Sequence, residues 1–223
     1  MRTPAAAIWQ TVHTERRRLV ADLSDLEDAQ WRTPSLCPGW DVHDVLAHLV
    51  DTARTGRLDF VRGLLAARMN FDRANERGIA RQKRHDPKDT LEALTHATSL
   101  TRTPPASLET RLVEAIVHGE DVRRPLGIDG TYPEPAIAQA LAYQLRTPVA
   151  FGGGRERAAG LRLVDRTTST AWGTGDDVEA DVIDLLLAVS GRPVQQNRFA
   201  GAGAARLVAA ATRTTPDRKA RDR

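Results

Sequence analysis

The chain has 223 residues, of which 41% are hydrophobic, 27% charged and only 4% aromatic, a balance that excludes wholesale disorder and suits packed aliphatic helices better than aromatic-rich strands. A single cysteine, Cys37, excludes an internal disulfide and any four-cysteine zinc site within one chain. The net charge is a modest +3 and Ile8, Trp9 and Val12 are interrupted by Gln10 and His13; with no apolar run approaching the ~20 residues of a membrane span, a cytoplasmic protein with no membrane partner is expected.

In chain order, Ile8, Val12, Leu19, Val20, Leu23 and Leu26 recur at helical spacing and predict a first helix over residues 6–27. Residues 33–40 contain Pro34, Pro38 and Gly39 and read as a structured turn. Asp41 then stands as N-cap, with Asp44 three residues on. The helix that starts there carries an apolar stripe of Val42, Val45, Leu46, Leu49 and Val50, with His48 at its margin. Leu58, Val61, Leu64 and Leu65 continue helical patterning after a break near Thr55 and Gly56, and a polar region follows to Asp86.

Pro87 fits the first turn of another helix, carrying Leu91, Leu94 and Leu100 and stopping at Pro104 and Pro105. A further helix is expected over residues 106–123, then a linker marked by Pro125, Gly127, Gly130 and Pro133, then a helix bearing Ala136, Ile137, Ala140, Leu141 and Leu145. Beyond Gly152 to Gly154, residues 161–164 and 168–172 read as a hairpin turning at Asp165 and Arg166. Two helices, over 182–189 and 204–211, complete a small C-terminal α/β part. The glycine triplet lacks the following Lys and Ser or Thr of a phosphate loop. Residues 213–223 read as a basic disordered tail.

The stretch from Arg54 to Lys88 holds ten basic residues against four acidic ones. It has no interleaved stacking aromatics and no recognition motif, so a solvated arginine-rich face explains it better than nucleic acid does.

Glu114 and His118 lie four apart on a predicted helix, about 40° apart around its axis and one turn along it, so both can reach one ion. With His48 they make two histidines and one carboxylate, which is a catalytic zinc composition with a position left open. Against this, Leu108, Leu112, Val113, Ile116 and Val117 mark an apolar face from which both residues point largely away, and periodicity alone leaves them solvated. Of the other candidates, Cys37 reads as a packed thiol and His43 as a surface residue of the first turn of its helix, while His13, His85 and His96 have no ligand-like neighbours. Glu120 and Asp121 read equally as supports for a histidine ligand or as solvated acids. Arg123 and Arg124 complement a helix end and suit an anionic substrate.

The segments SLCPGWDVHDVLAHLV at 35–50 and LVEAIVHGEDVRRPLG at 112–127 resemble the mycothiol-dependent maleylpyruvate isomerase family, as do GLRLV at 160–164 and DLLLAVSGRP at 184–193. The resemblance implies a mainly α protein with a small α/β part: a DinB-like four-helix bundle over residues 1–130, then a linker helix and small C-terminal α/β domain over 131–212. It implies a divalent cation, zinc by preference, held by His48, Glu114 and His118, and mycothiol or a similar low-molecular-weight thiol as cofactor. The chemistry it implies is thiol activation for isomerisation, or for transfer to an electrophile, with an unsaturated or electrophilic small molecule as substrate. The rival expectation is a non-catalytic metal- or small-molecule-binding bundle.

Overall fold

The computed structural model describes residues 4–212; the expected tail at 213–223 lies outside the described residues. The chain divides into two compact units, Met1–Ala136 and Ile137–Arg223.

In the first unit, α1 (Ala5–Leu23), α2 (Val42–Arg54), α5 (Pro87–Thr95) and α6 (Thr110–Leu126) form a ring of four helices. Helices α1 and α2 each pack against both α5 and α6. The apolar spacing read from α1 and α2 accounts for the core between them, where Leu19, Leu23, Val42, Val45, Leu46, Leu49, Leu94 and Val122 are buried with Trp31. Helix α1 ends at Leu23, and Leu26 reaches the core from the turn that follows. Helix α5 ends at Thr95 rather than continuing to Leu100.

Two findings correct the reading of residues 55–86. Helix α3 (Arg57–Ala66) forms but buries none of its residues, and Leu58 and Leu65 are 71% and 62% exposed. The polar stretch after it contains α4 (Phe71–Gln82), which packs on α2. Asn70 caps α4 by accepting from the Arg73 amide, and only Gly78, Ile79 and Gln82 are buried, too few for an apolar stripe to be visible in sequence.

The second unit opens with most of α7 (Glu134–Arg146) and centres on a three-stranded sheet of order β2-β1-β3. The expected hairpin forms between β1 (Leu161–Asp165) and β2 (Ala171–Gly173), antiparallel with Leu163 opposite Trp172. Its second strand starts later than its sequence suggests because Ser169 turns at φ 59. Strand β3 (Asp176–Ala180) lies parallel to β1, Val178 opposite Leu163. Its acidic Asp176, Asp177 and Glu179 conceal it in sequence, since only Val178 and Ala180 are buried. Helices α8 (Val182–Val189) and α9 (Ala204–Thr212) cover the sheet with Leu185, Leu186 and Leu207, and the Asp165 carboxylate accepts from the Val182 amide at the start of α8.

Candidate functional site

The site is built where α2 passes α6. Residues four apart on a helix share a face, so His48 and Thr52 on α2 confront His118 and Glu114 on α6 as two successive rungs. On the first, the His48 and His118 rings lie with centroids 4.8 Å apart at 72°. On the second, Thr52 Oγ1 donates to Glu114 Oε1 at 2.8 Å. His48 is buried, and the side chains of His118 and Glu114 are only 15% and 10% exposed. The expectation that periodicity leaves Glu114 and His118 solvated is therefore corrected. Helix α6 touches both α1 and α2, and it buries Arg111, Glu120, Asp121 and Arg123 besides its apolar residues.

Position on α2 is set by an N-terminal capping box. The Asp44 amide donates to Asp41 Oδ1 at 2.7 Å, and the Asp41 amide donates to Asp44 Oδ2. The preceding 35–40 loop turns through Gly39 at φ 82, a left-handed conformation that glycine adopts without penalty, and Cys37 packs against the core as expected. This loop delivers Trp40, whose ring centroid lies 5.0 Å from that of His48 and 6.4 Å from that of His118, forming an aromatic wall beside both. The sequence reading did not single out Trp40; its place directly before the Asp41 cap was the available signal.

Asp121 is fully buried, and its Oδ2 lies 2.8 Å from Nδ1 of His118. This resolves the two readings of Asp121 in favour of a support for the histidine. A carboxylate on one ring nitrogen fixes the tautomer and leaves Nε2 as the ligand-binding atom. Glu120 is likewise not solvated: it accepts from the Tyr132 hydroxyl at 2.9 Å and pairs with Arg124. Arg123, only 2% exposed, donates to Asp22 and to the Tyr132 hydroxyl, both at 2.7 Å. Burial and the neighbouring Glu120 push the Tyr132 phenol pKa upward.

His43 is a second correction. It is 6% exposed, its Nε2 lies 2.8 Å from Thr90 Oγ1 on α5, and burial and then Lys83 push its pKa down. The apolar stripe of α2 hid this because α5 covers a second side of that helix.

The donor set suits a divalent cation in part. Two adjacent imidazoles, one oriented by a buried carboxylate, have the chemistry of zinc ligands and their support. Glu114 is otherwise engaged: its Oε2 pairs with Arg111 at 2.9 Å while Thr52 holds Oε1. Among the described residues no group of three His, Cys, Asp or Glu side chains is drawn together as a metal site. Beside the Thr52 rung, a cleft of about 600 Å³ including its open mouth is lined by Thr52, Phe60, Leu64, Phe71 and Arg111.

Residues 12–107 match the family described as the mycothiol maleylpyruvate isomerase N-terminal domain. The expected resemblance to that family is thereby borne out over the N-terminal part of the chain. The match takes in His48 and the Trp40 loop and stops before α6, so it does not reach Glu114 or His118. Among solved structures, the chain is similar to the mycothiol-dependent maleylpyruvate isomerase and to a histidine-to-alanine mutant of it. Each is 16% identical with TM-score 0.64, over 91% of this chain and 94% of the other. The likeness is one of fold, and it extends past residues 12–107 into the C-terminal α/β part. No curated protein sequence matches significantly.

Proposed function

We propose that this protein is a metal- and thiol-dependent enzyme of the maleylpyruvate isomerase type. The observation that carries the reading is the first rung: two imidazoles 4.8 Å apart, one of them oriented by the buried Asp121. His48 and His118 would hold the cation, with Glu114 as third ligand once it exchanges its contacts to Arg111 and Thr52. When bound, the cation supplies a Lewis acid that lowers the pKa of an incoming thiol toward its nucleophilic thiolate form.

The chain's own residues do the rest. Asp121 keeps His118 in one tautomer, Trp40 closes one side of the histidine pair, and the apolar walls of the cleft at Phe60, Leu64 and Phe71 seat a carbon skeleton. An isomerase and an S-transferase share the first step, a carbon–sulfur bond formed as the π electrons move onto the conjugated carbonyl. In the isomerase the new single bond rotates and the thiolate is expelled unchanged. In the transferase the carbon–sulfur bond would be kept and the enolate α-carbon would take up the proton that the thiol released. Mycothiol is the proposed thiol, and an unsaturated or electrophilic acid the proposed substrate.

The test is elemental analysis of the untagged protein and of His118→Ala, followed by thiol-dependent turnover. Near-stoichiometric zinc in the wild type, lost in the variant, with turnover only when thiol is added, is the expected result. Zinc without turnover leaves the non-catalytic binding bundle, and no zinc even after reconstitution overturns the proposal.

A further inference from the structure

Helix α6 runs through Pro125 to Leu126, whereas its sequence suggested an end at Arg123. A proline inside a helix has no N–H for the carbonyl four residues back, and its ring presses that carbonyl aside. At Pro125 that carbonyl belongs to Asp121, the residue whose side chain orients His118. The Asp121 carbonyl is not left wanting: the Leu36 amide donates to it at 3.1 Å. Leu36 sits in the loop that delivers Trp40, and that loop is tied to itself, with Ser35 N donating to Trp40 O and Trp40 N donating to Cys37 O.

We propose that Pro125 is a positioning residue: by withholding the helix's own donor from Asp121, it docks the 35–40 loop on α6 and holds Trp40 against His48 and His118. A buried carbonyl takes a partner from whatever donor is present. A residue with an N–H at 125 restores the intrahelical donor, which competes with Leu36. One position in the last turn of α6 thereby sets the distance between the aromatic wall and the histidine pair. The inference rests on the proposed function only in treating Trp40 as part of the site, and its test reads the backbone and the indole, independent of any metal.

The experiment is Pro125→Ala, compared with wild type by amide hydrogen exchange and by the ¹H–¹⁵N spectrum. The expected result is exchange of the Leu36 amide faster by about tenfold or more, and a displaced Trp40 indole resonance, with α6 amides as protected as in wild type or better. Unchanged Leu36 protection and an unmoved Trp40 resonance overturn the proposal. So does uniform loss of protection along α6, which would make Pro125 a determinant of the fold rather than of the loop. Should the variant not fold, wild type alone decides: a Leu36 amide that exchanges as fast as exposed loop amides refutes the docking bond, and one as protected as the middle of α6 sustains it.

Discussion

Asp121 Oδ2 and His118 Nδ1 lie 2.8 Å apart, and the carboxylate that makes this contact is fully buried. The bond spans three residues of one helix, so it is formed locally and does not depend on how α6 meets its neighbours. Replacing Asp121 with Asn keeps the volume but offers an amide N–H where the ring needs an acceptor, which favours the wrong tautomer. Asp121→Asn is expected to weaken zinc binding about 10–100-fold with little change of fold, as losses of such supporting carboxylates do. A competition titration against a chromophoric chelator measures it, and equal affinity in the two proteins would remove Asp121 from the site.

The ion pair between Arg111 and Glu114 competes with any cation for the same carboxylate. Arg111→Met is expected to raise zinc affinity and to destabilise the metal-free protein by up to about 3–5 kcal/mol, because buried Glu114 then loses its direct ion pair and keeps only the longer-range attraction of Arg16. Zinc should restore much of that loss. Equal melting shifts on zinc addition in variant and wild type would show that Glu114 does not reach the ion.

Arg123 ties three parts of the first unit together: Asp22 on α1, α6 itself, and Tyr132 in the segment that follows, over whose ring its guanidinium sits at 5.5 Å. Arg123→Met leaves Asp22 and the Tyr132 hydroxyl without their donor and is expected to cost about 3–5 kcal/mol in urea denaturation. Tyr132→Phe removes one hydrogen-bonding group and should cost about 1–3 kcal/mol. A loss below that range for Arg123→Met would mean that water replaces the network without penalty.

His43 makes stability depend on pH. Burial lowers its folded pKa below the unfolded value of 6.5, so the unfolded chain binds the extra proton first. The stabilisation tied to neutral His43 is fully present above pH 6.5 and is lost as pH falls through 6.5 toward the folded pKa. His13, whose pKa burial also lowers, adds in the same direction. Denaturation at pH 7.5 and 5.5 should therefore show a smaller pH-dependent loss in His43→Gln than in wild type, and identical slopes would contradict the assignment.

The parts of this fold legible in sequence are those where one helix face alone decides burial. Helix α2 announces itself through the Asp41 cap and its stripe, and α8 through an uninterrupted apolar run. The site was legible as residue types: Glu114 and His118 through their helical spacing, and His48 beside them through ligand composition and family resemblance. Residues buried by a second neighbour escaped: His43 beneath α5, and Glu114 and His118 between α6 and α2. Partners that complete an arrangement across elements, such as Thr52 and Arg111 on Glu114, follow helical spacing from His48 and Glu114 but carry no motif of their own. Helix α4 and strand β3 were hidden by polar residues that face outward.

The base of the 35–40 loop is closed by a bridge between Pro34 and Asp41 and by the Val42 amide donating to Thr33 O. Its two ends therefore meet before the helix begins, and the Asp41 cap starts α2 from that point. The segment is thus framed separately from the helix it precedes: side-chain changes at its tip would alter what lies against the histidine pair while the frame that carries the histidines stays in place.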